Sequence, residues 1–453
     1  MSDLTYRARS EKDVWDYLPE FASEQLPRYT SYPPANRFSG DIDAAAASSA
    51  RARLPADATI SLYLHIPFCQ KLCWYCGCHT TVPTLADPVE TYIQALKAEI
   101  ALVASDVPSG ARVTRIHFGG GSPDILSPQQ VDELFAAIRA RFNLSPLADI
   151  AVELDPRGVS PGLVQAFANA GLTRASLGVQ VLNTDVQKRV NRIQPKGVIE
   201  DAIKMLRGTG VESINIDMMY GLPGQNIADV VETGLFAATQ DADRIAVFGY
   251  AHVPWMKKYQ KAFRTDDLPS GETRFRQAEA AARTLTSAGY MPIGFDHFAA
   301  PGDALSTAER NGRLHRNFQG YTDDASDALI GLGASAISSL PDLFYQNTTD
   351  TGAYRASLGE GKSPVVRGLK PTREELSIGR LIEGVLCNFE VNLDADTRKA
   401  VYPKLAPLMR AGLVGLHGTT LTVSARGKPY ARNVAACLDP GFAAKPSVHS
   451  LAI

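Results

Sequence analysis

Apolar runs and helical periods alternate along the first half of the chain. Short runs rich in β-branched residues occupy positions 60–66, 113–118, 149–154, 174–179, 213–218 and 244–250. Each has the look of a strand buried on both faces. Between them, apolar residues recur at helical spacing and predict helices over 88–104, 128–141, 161–170, 196–208 and 227–240. Six βα repeats with right-handed crossovers imply a parallel sheet with helices outside, either doubly wound or a partial barrel.

The two ends have a different texture. The first forty residues carry Arg28-Tyr29-Thr30-Ser31-Tyr32-Pro33-Pro34, an aromatic stretch before two prolines that reads as an extended segment lying over the body. From about Pro371, helical patterns at 374–387 and 395–411 precede a hairpin pattern at 413–423, its turn containing Gly418. That order resembles a winged helix, for which DNA binding and a structural cap are the two readings. The stretch has little basic excess, which favours the cap. The expected units are an extension over the active site at 1–55, a barrel and its extension at 56–365, and a C-terminal helical cap at 366–453.

Composition changes this picture only by exclusion. The 453 residues are 45% hydrophobic and 21% charged, with 46 basic and 48 acidic side chains and a formal net charge of −2. That balance gives no electrostatic case for nucleic acid as a partner. No apolar run is long enough to span a bilayer, so no membrane insertion is expected. The first twenty residues are charged and carry no secretory pattern. A cytoplasmic protein is expected, with six cysteines acting as thiols, ligands or catalytic groups and not as disulfides.

Four of those six cysteines, Cys69, Cys73, Cys76 and Cys78, fall within ten residues directly after the first strand. The spacing C-x3-C-x2-C puts three thiolates on one compact loop. They can ligate three irons of a [4Fe–4S] cluster and leave the fourth iron open, and an open position turns a metal site from structural to catalytic. Two alternatives stand beside this. A structural zinc could use the four cysteines or add His79, although no second C-x2-C exists to complete the usual pattern. An electron-transfer cluster could take Cys78 as fourth ligand, although Cys76 and Cys78 are awkwardly close for two corners of one cube.

The cysteine motif, with Tyr75 before its last member, resembles the radical S-adenosylmethionine (radical SAM) superfamily. Further motifs narrow the resemblance: His65-Ile66-Pro67-Phe68-Cys69, Gly119-Gly120-Gly121-Ser122-Pro123, Glu153-Leu154-Asp155-Pro156, Gly178-Val179-Gln180, Asn191-Arg192, Tyr220-Gly221-Leu222-Pro223-Gly224-Gln225, Tyr250-Ala251-His252 and Asp296-His297-Phe298-Ala299. Together with His315-Arg316-Asn317-Phe318-Gln319-Gly320-Tyr321 and Gly331-Leu332-Gly333, they are similar to the oxygen-independent coproporphyrinogen III oxidases over nearly the whole chain. The cysteines follow the first expected strand, the glycines the second, Glu153 lies on the third, Gln180 follows the fourth, Asp217 lies on the fifth and Tyr250-Ala251-His252 follows the sixth, all on the rim where α/β barrels build active sites.

The resemblance implies a partial (β/α)6 barrel of the radical SAM type, with the extension and the C-terminal domain added. It implies a [4Fe–4S] cluster on Cys69, Cys73 and Cys76 and two molecules of S-adenosylmethionine. Cleavage of the first would give a 5′-deoxyadenosyl radical that takes hydrogen from propionate groups of coproporphyrinogen III. Tyr63, Tyr75, Gly120, Gly121, Ser122, Glu153 and Ile337 would contact the cofactor. Gln180, Arg192 and Asp217 would contact the second molecule, and Ala251 is a further expected cofactor contact. Several of these have plainer readings: Tyr63 as a core aromatic, Arg192 as half of a surface helix ion pair, the glycines as a tight turn. Arg28 and Arg316 are expected to receive substrate carboxylates, because charge-assisted pairs are the strong ones. An unidentified reductant and a terminal electron acceptor complete the partners, and a monomer is expected. The alternative is a haem-binding carrier on the same scaffold, a branch that typically lacks the segment at 28–33 and Cys78. This chain departs from the family at Val181-Leu182, where Asp-Phe is usual, and at Ser122 and Gly249, where Thr and Asn are usual.

Overall fold

The computed structural model describes residues 15–83 and 87–442. Residues 1–14 of the expected extension and 443–453 of the expected C-terminal unit lie outside the described residues.

Each expected strand forms. They are β1 (Thr59–Ile66), β2 (Arg112–Gly120), β3 (Asn143–Leu154), β4 (Arg174–Gln180), β5 (Ser213–Tyr220) and β6 (Arg244–Gly249). Two short strands follow, β7 (Met291–Ile293) and β8 (His297–Ala299), then the pair β9 (His315–Asn317) and β10 (Gly320–Thr322). The chain then returns to the main sheet as β11 (Ala328–Leu332), β12 (Ile337–Leu340), β13 (Leu343–Asn347) and β14 (Val365–Leu369). The sheet order is β14-β13-β12-β11-β1-β2-β3-β4-β5-β6-β8-β7. Its centre, β11 through β6, is parallel, and antiparallel strands extend both edges. The seventh parallel strand, β11, is five residues long and contains a glycine, too short a run for its periodicity to stand out.

Helices Asp87–Asp106, Pro128–Arg141, Pro161–Ala170, Lys196–Gly208 and Ile227–Thr239 cross between successive strands. The second shows how the sequence sets them. Ser127 and Gln130 form a capping box, Pro128 opens the first turn, and Val131, Leu134, Phe135 and Ile138 share one buried stripe. Burial of each such side chain contributes about 1.5–3 kcal/mol relative to exposure.

The expectation of strands buried on both faces fails for β4 and β5, whose burial alternates residue by residue. Leu177, Val179, Ile214 and Ile216 pack under the helices. Arg174, Ser176, Gln180, Ser213, Asn215 and Asp217 line an internal cavity of about 740 Å³. A packed β/α barrel fills this space with branched side chains; here polar ones surround a void.

A second hydrophobic core joins helices Arg373–Asn388, Ala395–Arg410 and Ala431–Leu438 to a small sheet of β15 (Glu390–Asn392), β17 (Thr420–Val423) and β16 (Val414–His417). Ala22, Leu26 and Tyr29 from the front of the chain belong to the same core. Arg432 donates to the carbonyls of Leu26 and Pro27, Asn433 to that of Phe21, and Tyr29 and Tyr32 both donate to Asp439. The front segment is thereby tied to the last described helix, and this brings Arg28 to the barrel rim.

Candidate active site

The cysteine loop follows β1 and is closed at its base by Cys69 N–H to Thr81 O (3.0 Å) and Thr81 N–H to Pro67 O (2.8 Å). Within it, few backbone groups pair with one another. Neighbouring elements satisfy them instead: Asn191 donates to Leu72 O (2.8 Å), Gln260 to Tyr75 O (3.0 Å), Tyr259 to Cys76 O (2.6 Å) and Lys257 to Cys78 O (2.7 Å). A loop held this way keeps its thiols directed without spending them on its own folding.

All six cysteines are free thiols. Thr80 donates to the sulfur of Cys69 at 3.1 Å. Arg157 and Arg192 both reach the buried sulfur of Cys73, at 3.5 and 3.4 Å. Burial pushes the Cys69 thiol up to about 12. The Cys78 thiol, as hydrogen-bond donor, brings Cys76 down to about 7 against its burial. Among the described residues no three His, Cys, Asp or Glu side chains gather as on a single ion; a cubane, whose thiolates sit on separate irons, does not require that. Soft donors on one short loop, two guanidiniums against the most buried of them, and a large cavity opening beside Cys76 and Cys78 fit an anionic iron–sulfur group.

The glycine loop packs against this one. Gly121 N–H donates to Ile66 O and Ser122 N–H to Phe68 O, both at 2.8 Å. A Cβ at Gly121 would lie 2.4 Å from the backbone of Phe68 and one at Gly120, itself at positive φ, 2.7 Å from the His65 ring, whereas at Gly119 it would meet the movable carboxyl of Glu153 at 2.8 Å. Ser122 is buried, hydrogen-bonded to Asp124, and accepts from Asp155 N–H at 3.0 Å. His65 is wedged beneath the loop between Tyr63 and the carbonyl of His79, and burial lowers its pKa to about 4. It is neutral at pH 7 and acts as a brace.

Of the sequence-derived residues, Tyr75, Cys76, Glu153, Gln180, Asp217, Ala251 and Arg28 share the 740 Å³ cavity. Glu153 accepts from His117 Nε2 at 2.8 Å and from Gly120 N–H at 3.4 Å. Burial opposes its ionisation, but these donors outweigh it and the carboxyl is held low. Asp217 accepts from Ser176 (3.1 Å) and Asn215 (2.7 Å). Its burial, reinforced by the charge of Glu153, raises it to about 6. Arg28 donates to Gly249 O at 3.1 Å. A Cβ at Gly249 would lie 2.7 Å from the Tyr220 hydroxyl, a local reason for the missing Asn.

Others lie elsewhere. Tyr63, Gly120, Gly121, Ser122 and Ile337 are not among the residues lining that cavity; Ile337 sits on β12, paired with Gln346. Arg192 is not on a surface helix. It is 7% exposed and pairs with Asp155 at 2.9 Å behind Cys73. Arg316 lines a separate cavity of about 350 Å³. Its guanidinium lies over the rings of Phe295 and Tyr321, 3.9 Å from Asp296. Val181 is buried among Val186, Val190, Leu222, Tyr250 and Phe263, so the departure there changes an apolar cluster and not the cavity wall. His117, Ser176, Asn215 and His297 also line the cavity. The first three follow the period-2 positions of their strands, a signal in the sequence. Nothing local marks Thr80 or Arg157 as partners of the thiols.

Residues 63–237 match the family model of the Radical SAM superfamily. The chain is 42% identical over 447 residues to the oxygen-independent coproporphyrinogen III oxidase of Bradyrhizobium diazoefficiens, covering 97% of this chain and 99% of that one. It is 38% identical to the protein of that name from Paracoccus denitrificans, with 95% and 97% covered. The coproporphyrinogen III oxidase HemN of Escherichia coli, described as a radical SAM enzyme, superimposes with a TM-score of 0.88 at 35% identity, covering 92% of this chain and 100% of that one. The chain belongs to the oxygen-independent coproporphyrinogen III oxidase family.

Proposed function

We propose that this protein converts two propionate side chains of coproporphyrinogen III to vinyl groups, giving protoporphyrinogen IX in porphyrin biosynthesis. Each propionate loses one hydrogen atom, one electron and CO₂. The observation that carries the reading is one cavity of about 740 Å³ with Cys76 and Cys78, Glu153 and Arg28 on its walls.

Cys69, Cys73 and Cys76 would hold a [4Fe–4S] cluster, which with S-adenosylmethionine supplies a hydrogen-abstracting radical. Arg157 and Arg192 offset negative charge at Cys73. Glu153, kept ionised by His117, presents an acceptor to an ammonium or to ribose hydroxyls. Tyr75 offers a ring face, while Gln180, Asp217 and Ala251 wall the deeper space where a second S-adenosylmethionine would sit. Arg28, fixed by one bond to Gly249 O, has further N–H groups for a carboxylate at the mouth, and Arg316 adds positive charge behind it. The barrel excludes bulk water from a reactive species. Free cysteines suit a reducing compartment, and no helix among the described residues is long and apolar enough to cross a membrane; we read the protein as a cytoplasmic monomer. Anaerobic incubation of the reconstituted chain with substrate, S-adenosylmethionine and dithionite is expected to yield 5′-deoxyadenosine and vinyl product. Tight haem binding without turnover contradicts the reading.

A further inference from the structure

The cysteine loop and the two segments that hold it from outside carry one-sided charge. Residues 67–83, 186–198 and 253–264 together carry nine Lys and Arg and no Asp or Glu, in a chain whose net charge is −2; eight of the nine reach the surface, and Arg192 is buried against Asp155. The hydrogen bonds from Asn191, Lys257, Tyr259 and Gln260 to the loop carbonyls, and from Trp74 N–H to Val190 O, join the segments into one face. At its margins, Asp185 pairs with Lys188 and Asp266 lies 3.8 Å from Arg264. Large apolar side chains stand out of the same face: Trp74 is 38% exposed, Ile193 52%, Trp255 51% and Met256 67%. Aromatic residues and Met within a basic rim have the composition of a docking patch. Trp74 lies between Cys73 and Cys76, so whatever covers the patch lies against the ligand loop itself.

We propose that this face docks a small acidic one-electron carrier protein. The inference rests on the reading above, since that chemistry needs an electron delivered at the cysteine loop. One electron leaves the reduced carrier and is taken up at that loop, with no bond made or broken and no proton moved. Electron-transfer encounters are small and fast, and opposite charge on the two faces raises their association rate. A lipid surface would suit Lys and Trp as well, but it delivers no electron.

The test uses the full chain and a reduced plant-type [2Fe–2S] ferredoxin, an acidic low-potential carrier. Lys258→Glu with Lys261→Glu reverses exposed charge without touching a loop carbonyl. At low salt, the double variant should be reduced by ferredoxin about tenfold more slowly than the wild type. The gap should shrink as salt shortens the screening length. Bleaching by dithionite, which needs no docking, and iron content should be unchanged. Ferredoxin binding to the iron-free chain should weaken in parallel, and Trp255→Ser should weaken it without altering its salt dependence. Reduction of the double variant at the wild-type rate and salt dependence overturns the proposal. So does a raised KM for the tetrapyrrole with ferredoxin binding intact, or binding of phosphatidylserine vesicles in place of ferredoxin. A chain that never holds iron, and that dithionite does not bleach, fails the parent reading; ferredoxin binding to it still decides the surface.

Discussion

The two ends of the internal cavity handle charge in opposite ways. At the N-terminal ends of the strands, Arg115 pairs with Asp149 and Asp323, Arg174 with Asp149, and Arg244 with Asp303. Arg115 stays firmly charged despite its burial, and Asp323 is held at about 2 against its own. Arg174 is the exception: burial first, then the charges of Arg244 and Arg115, push it down against its pairing with Asp149. At the opposite rim, Arg28, Arg316 and Arg432 act on Asp296 and on one another, with Arg274 beside Arg28. Burial first, then the charges of Arg28 and Arg316, lower Arg432 to about 9. Burial and Arg28 likewise lower Arg274. The same residue type thus pairs with carboxylates at one end of the barrel and crowds against itself at the other. Matched charge is structure; an excess of one sign at the mouth suits a substrate with several carboxylates.

Removing one partner at the matched end should give the largest effect. The Asp303 side chain is 5% exposed and that of Arg244 11%, so Asp303→Ala strands a buried cation. Urea unfolding under anoxic conditions should show a loss of about 3–5 kcal/mol with iron content retained. A loss below about 1 kcal/mol would mean that the end is solvated and the contrast is false.

The rim should respond in affinity and not in stability. Arg28→Met is expected to raise KM for the tetracarboxylate substrate about tenfold, the value of a charge-assisted hydrogen bond. Its unfolding free energy should move by no more than about 0.5 kcal/mol. An unchanged KM would remove Arg28 from the substrate site.

Asp217, midway between the ends, separates the two regimes by pH. Its folded pKa of about 6 lies above the ordinary carboxyl value of 3.8. The folded state therefore binds more protons than the unfolded chain between those values, and stability falls as pH rises through that window. Asp217→Asn should flatten that fall by about 1–3 kcal/mol, discounted for water in the cavity. Identical pH profiles for variant and wild type would show the carboxyl to be fully solvated.

The barrel was legible because its strands and helices differ in period, and each expected strand formed, although β3 starts at Asn143 instead of 149. The alternation of β4 and β5 was written there too, as Ser176, Asn215 and Asp217 at every second position, but polar inward faces make sense only once a void is known to lie inside. β11 was hidden by its length. The cysteine loop announced itself by spacing. Its supports did not: Asn191, Arg157 and Gln260 lie 119, 84 and 185 residues from the groups they hold, and single-residue contacts at that range leave no local pattern. The split of Arg28 and Arg316 between two cavities is likewise a matter of packing, decided by where Phe295 and Tyr321 place the second guanidinium.

The cysteine site is tested most directly by iron and sulfide analysis of anoxically reconstituted protein, followed by EPR of the dithionite-reduced form with and without S-adenosylmethionine. About four irons per chain, and a signal that changes when S-adenosylmethionine is added, are the predicted result. Material without iron, or a signal indifferent to S-adenosylmethionine, would contradict a cluster held by Cys69, Cys73 and Cys76 with one position open.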